Sequence, residues 1–152
     1  MTNTVWSEGE FIRQRIRKEE KDGNNMISFD TFKPGEGTPI YLQILLFIKR
    51  GAVAGTIRDG DELPSRRVLS ALLGINPNTV QKAFRMLEDE KLITSQMGAG
   101  STMTLSTDKI KELRKELLTD DIRSITAALR QMGIDKEEAL QLIAQYWEET
   151  KA

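Results

Sequence analysis

Apolar residues recur along this chain at two spacings, and the switches between them mark out its elements. Ile40, Ile44, Phe47 and Ile48, widened by Tyr41 and Leu45, fall three or four apart, the repeat that lines one face of an α-helix. Thr38 as N-cap, Pro39 at the first helical position and Gly55 as a stop predict a helix ending near Ala54. Thr56 to Glu62 reads as a polar loop turning at Gly60. Ser65 then caps a short helix over Arg66 to Leu73, with Val68, Leu69, Leu72 and Leu73 as its buried stripe and Gly74 closing it. Asn76-Pro77 repeats the cap-and-proline start, and Val80, Ala83, Phe84 and Leu87 give a third helix one buried face as far as Glu90. Beyond it the signal changes. Leu92-Ile93-Thr94 and Thr102-Met103-Thr104-Leu105 are β-prone, and Gly98-Ala99-Gly100 between them reads as a hairpin tip where glycine permits positive φ.

The two ends read differently. Residues 1–25 are a polar extension, expected to be a solvated and disordered tail. A helical run from Glu8 to Lys21 carries only the narrow stripe Phe11, Ile12 and Ile16, and Asp22-Gly23-Asn24-Asn25 stops it. Met26 offers an alternative start to the chain, Ile27 to Phe32 reads as a short strand, and Lys33 to Gly37 as a loop. At the other end Thr107 or Asp108 caps a helix with Ile110, Leu113, Leu117 and Leu118 on one side. Thr119-Asp120 is expected to open a further helix carrying Ile122, Ile125, Leu129 and Met132, stopped by Gly133. Asp135-Lys136-Glu137-Glu138 has capping-box form ahead of Ala139, Leu142, Ile143, Tyr146 and Trp147. The expected fold is mainly α with a small β-wing: a winged helix-turn-helix over residues 26–105, then a short helical dimerisation segment over 106–152.

Composition narrows the function. The chain has 152 residues, a net charge of -1, 39% hydrophobic and 30% charged residues, which suits a folded soluble protein. No apolar run is long enough for a membrane span, and the first 25 residues lack the apolar centre of a secretory signal, so a cytoplasmic location and no membrane partner are expected. Cys and His are both absent. That removes thiol nucleophiles, disulfides, His-based triads and the usual zinc sites, and no cofactor or metal is expected. The charge is uneven: residues 38–105 carry eight bases and six acids, and residues 106–152 eight bases and ten acids. Nucleic-acid binding needs a basic face, not a basic chain.

The third helix supplies such a face. Opposite its apolar stripe it shows Asn78, Gln81, Lys82 and Arg85. An α-helix fits the major groove, and amide side chains pair with adenine edges there. Arg66 and Arg67 stand in the first turn of the second helix, where cations oppose the helix dipole, a placement that suits an anionic partner. Gly98 and Gly100 let the hairpin backbone approach a phosphate or the minor groove. Each feature alone is ordinary; their order and spacing are what one docking geometry requires.

These runs resemble the DNA-binding domain of the GntR family of bacterial regulators. The matching residues are Thr38 to Ile44, Leu63-Pro64-Ser65-Arg66-Arg67, Asn76-Pro77-Asn78-Thr79-Val80-Gln81-Lys82-Ala83 and Gly98-Ala99-Gly100. The Asn76 to Lys82 run and the short helical tail are similar to the YtrA-type subfamily in particular. The resemblance implies that Arg67 touches DNA, that Asn76, Asn78, Thr79 and Gln81 are recognition-helix contacts, and that Gly98 meets the minor groove. With Ser65, Arg66, Pro77, Lys82, Arg85 and Gly100 they make the candidate DNA-binding set. The chain departs from the pattern at Pro77 and Gln81, where many members have arginine, at Lys91, usually glycine, and at Ala99, usually basic.

Residues 106–152 are too few to enclose a ligand with a core of their own, and their apolar faces call for a two-fold partner. Tyr146 and Trp147 read as dimer anchors in preference to a small-molecule cleft. The reading is a homodimeric, sequence-specific transcription regulator, a repressor on a palindromic DNA operator, with ABC-transporter genes as targets implied by resemblance only. The competing readings are a winged-helix protein-interaction module without DNA binding and, at much lower weight, an enzyme using the loop acids Asp59, Asp61 and Glu62.

Overall fold

A computed structural model describes residues 25–98 and 100–150. The expectations for residues 1–24 and for Ala99 lie outside that range. Among the described residues five helices and three strands follow one another: α1 (Ile40–Ala54), β1 (Glu62–Leu63), α2 (Arg66–Leu73), α3 (Pro77–Asp89), β2 (Ile93–Gln96), β3 (Gly100–Met103), α4 (Thr107–Gln131) and α5 (Lys136–Glu149). One apolar core unites α1, α3, the sheet and the root of α4. Ile44, Ile48, Leu69, Val80, Phe84, Leu87 and Leu92 are its most enclosed large side chains.

The caps govern where the helices begin. Ser65 Oγ accepts from Val68 N at 3.2 Å, Asn76 Oδ1 from Asn78 N at 2.8 Å and Asp135 Oδ1 from Glu138 N at 2.9 Å. Thr38 does not cap α1. Pro39 holds the cap position with no side-chain bond, and Gln43 ties the preceding loop down instead, donating to Thr38 O at 2.7 Å and Gly35 O at 3.0 Å and accepting from Gly35 N at 2.7 Å.

Residues 27–32 form no regular strand. Met26 makes a single parallel bridge to Glu62, after which a turn at Asp30-Thr31 lets Phe29 and Phe32 close on Phe47 with ring centroids 5.1 and 5.5 Å away. The sheet has a third strand that the sequence does not announce. β3 lies centrally between β1 and β2, antiparallel to both, pairing Leu63 with Ser101 and Ser95 with Ser101 across its two sides. The acidic loop before β1 serves this sheet. Asp61 Oδ2 accepts from Arg58 N and Asp59 Oδ1 from Leu105 N, both at 2.7 Å. Two of the acids considered for catalysis are thus acceptors for backbone amides.

Val68 and Leu72 are not buried: they are 54% and 59% exposed. α2 is only eight residues long and packs on α3 through Leu69, Ser70 and Leu73, so a four-position stripe is wider than the contact. The larger correction concerns α4. One continuous helix of 25 residues replaces the two expected, capped by Ser106, whose Oγ accepts from Lys109 N at 3.1 Å. Thr119-Asp120-Asp121 cost a helix interior only a few tenths of a kcal/mol each relative to alanine. No glycine or proline interrupts the apolar series Leu118, Ile122, Ile125 and Leu129 that runs through them. Gly133 then ends the run in a left-handed turn, φ 73, with Ile134 N donating to Leu129 O at 3.0 Å. Beyond Leu117 no α4 residue is buried, and none in α5.

Candidate nucleic-acid interface

The turn between α2 and α3 is set by Gly74, φ 64, and by Ser70, whose Oγ donates to Ile75 O at 2.6 Å. It presents the N-terminus of α3 to solvent. Val80, Ala83, Phe84 and Leu87 are buried, so the helical repeat turns Asn78, Gln81, Lys82 and Arg85 outward. Asn78, Lys82 and Arg85 are exposed, while Thr79 and Gln81 are half-buried. Asn76 and Pro77 are exposed at the helix start, with the Asn76 side-chain oxygen Oδ1 engaged as the cap. Ser65 is likewise a cap first, its hydroxyl oxygen holding Val68 N. Gly98 and Gly100, φ 77 and 78, form the wing tip and are exposed.

The two arginines of α2 part ways. Arg67 is exposed and makes no ion pair among the described residues. Arg66 folds back over α3, with its guanidinium carbon 5.5 Å from the Phe84 ring centroid and Nη2 3.3 Å from Glu88 Oε1. Glu88 Oε1 also accepts from Ser95 Oγ of β2, and Ser95 Oγ lies 2.8 Å from Ser101 Oγ of β3. Arg66 therefore braces α2, α3 and the wing together. Lys82 Nζ stands 3.9 Å from the Tyr41 ring centroid, so a cation on the outward face is steadied by α1.

Sequence reasoning passed over Glu88, Tyr41 and Met97. Met97 is 104% exposed immediately before Gly98 at the wing tip, and its position was the available signal. Glu88 and Tyr41 could be found only through their partners, 22 and 41 residues distant in the chain.

A helix-turn-helix with an outward polar recognition face, followed by a glycine-tipped β-wing, defines a winged-helix DNA-binding regulator. The profile of "Bacterial regulatory proteins, gntR family" matches residues 40–103. The HTH-type transcriptional repressor YtrA of Bacillus subtilis is 39% identical over 104 residues, 62% of this chain and 78% of the relative. The uncharacterized regulator YhcF of the same organism is 29% identical over 110 residues, 72% of this chain and 91% of that one. The chain belongs to the GntR family of bacterial transcription regulators, with YtrA-type relatives, a family of DNA-binding regulators and not of enzymes. Among solved structures, a GntR family transcriptional regulator from Listeria monocytogenes superimposes with a TM-score of 0.66 at 29% identity, covering 74% of this chain and 98% of that one. A transcriptional regulator from Oenococcus oeni does so with a TM-score of 0.57 at 29% identity, covering 78% and 99%. No helix among the described residues is long and apolar enough to cross a membrane.

Proposed function

We propose that the protein acts in the cytoplasm as a homodimeric repressor on a palindromic operator, with Arg67, Asn78, Gln81 and Arg85 carrying the contacts of each reading head and the Gly98 tip entering the minor groove. The observation that carries the reading-head assignment is the outward face of α3 beside the exposed Arg67, which makes no ion pair among the described residues. Amides at Asn78 and Gln81 suit adenine edges, and Arg85 and Arg67 suit guanine or phosphate. Asn76, Pro77, Thr79 and Ser65 set the helix start close to the groove. Lys82, held against Tyr41, adds charge more than base reading.

Dimerisation is supported by the apolar surface of α4 and α5. Leu118, Ile122, Ile125, Met132, Leu140, Ile143, Tyr146 and Trp147 are all exposed, a larger apolar area than a monomer leaves to water. Repression accords with the name of the YtrA relative, and ABC-transporter genes as targets rest on the resemblance to that subfamily alone. A selection of duplexes from a random library, with wild type and Arg67→Ala at two salt concentrations, tests the reading. Recovery of a palindrome by the wild type, lost in the variant and falling steeply with salt, is the expected result. Enrichment of nothing at low salt overturns it.

A further inference from the structure

Among the described residues, α4 packs on the winged domain at its root and projects beyond it as a lever. Leu113 and Leu117 are its last buried side chains, and from Leu118 to Gln131 it carries exposed or half-buried residues. At 1.5 Å per residue that free length is roughly 20 Å. A rod of that length displaces its end by ~3.5 Å for a tilt of ~10°, about the rise of one base pair. Whatever fixes the root angle therefore fixes which half-site spacing two joined reading heads can span.

Two adjacent residues of α1 hold that root. Lys49 is a buried cation, 5% exposed, with Nζ 2.6 Å from Glu90 Oε2 at the end of α3 and 3.5 Å from Glu116 Oε1 on α4. Arg50 Nη2 lies 3.3 and 3.4 Å from the carboxylate oxygens of Asp121, five residues further along α4. Neighbouring helix positions point about 100° apart, so the pair grips α4 from two directions. Lys49 goes further: one ammonium joins the end of the recognition helix to the base of the lever. Burial of a charge away from the outward face of α3 is not needed for DNA attraction, and to the non-directional apolar contacts of Ile110, Leu113 and Leu117 these ion pairs add directional ones.

We infer that Lys49 and Arg50, through Glu116 and Asp121, are positioning residues that set the operator spacing this protein accepts. The inference rests on the dimer reading proposed above. Its test uses the full chain, two half-sites from the selected palindrome with the spacer changed by one or two base pairs either way, and sedimentation of the same samples. Glu116→Gln combined with Asp121→Asn removes the two α4 carboxylates that pair with α1 and leaves Lys49 paired with Glu90, so the core stays compensated. Asp120→Asn, at a side chain with no ion pair among the described residues, is the control for lost charge. The readout is the ratio of affinities between the preferred and altered spacers, which a general change in DNA attraction does not move.

The expected result is a dimeric double variant that binds a lone half-site as the wild type does but loses about 1.5- to fivefold of its spacer preference, the range that solvent-screened ion pairs supply. Asp120→Asn keeps the wild-type preference. Lys49→Met, which retains the apolar stem and leaves two solvated carboxylates, shifts the ratio in the same direction. An unchanged ratio in a dimeric double variant overturns the inference alone. A monomeric wild type indifferent to spacing overturns the dimer reading and the inference with it.

Discussion

Two arginines side by side in α2 divide two tasks. Arg67 faces solvent, whereas Arg66 spends its guanidinium on Phe84 and Glu88. Arg67→Ala therefore weakens binding to the selected palindrome and lowers the slope of log affinity against log salt by about one, measured by titration at several salt concentrations. Arg66→Ala acts on the fold: its side chain is 40% exposed, so with screening the loss is at most about 1 kcal/mol, read as a shift in urea midpoint. The division could not be read from the sequence, where both residues stand in the same first turn before the same partner. Glu88 lies at the far end of α3, and only the fold brings it to Arg66. The outward face of α3 was legible in full, because a 3.6-residue repeat with four apolar positions leaves no choice about which side is wet.

At the scale of elements, what was readable depended on how far the deciding interaction lay from the residue it decides. Ser65, Asn76 and Asp135 cap helices with their own side chains two or three residues ahead, and all three starts agree with expectation. β1 escaped notice because two residues carry no alternation; its partner β3 is nearly forty residues away. Thr119 and Asp120 resemble a helix start and suggest two helices, yet an apolar series on both sides and the Arg50–Asp121 pair accompany one helix that runs through them. The junction between α3 and β2 holds the clearest local strain. Lys91 takes φ 58, the left-handed region that costs a side-chain-bearing residue about 1–2 kcal/mol. The family's usual glycine fits there without that cost, though it loses more freedom on folding. Lys91→Gly is expected to raise stability by about 0.5–1 kcal/mol, seen as a higher urea midpoint at unchanged slope.

For the molecule as a whole, the apolar core ends where α4 leaves the winged domain, and the exposed apolar surface beyond it is the one assigned above to a second copy. Ile122 is 58% exposed in the middle of that surface. Ile122→Glu should yield a monomer by sedimentation while the winged domain keeps its melting temperature to within a few degrees, since the residue touches no part of that core. Affinity for the palindrome then falls to that for one half-site. A loss of folding in step with association would instead mean that the winged domain depends on its partner.

The wing is the third strand's beneficiary. A lone two-stranded hairpin is marginal in water, but β3 is held on both edges, with Gly60 N donating to Met103 O at 2.9 Å and Met103 N to Asp61 O at 2.8 Å beneath it. Gln96 and Gly100 are the last paired residues, and Met97 and Gly98 lie beyond them. In the docking proposed above the hairpin meets DNA already folded, and association incurs little ordering entropy there. Calorimetry of such a docking carries the heat-capacity change of the contact surface alone, without the larger drop that a loop folding onto DNA adds.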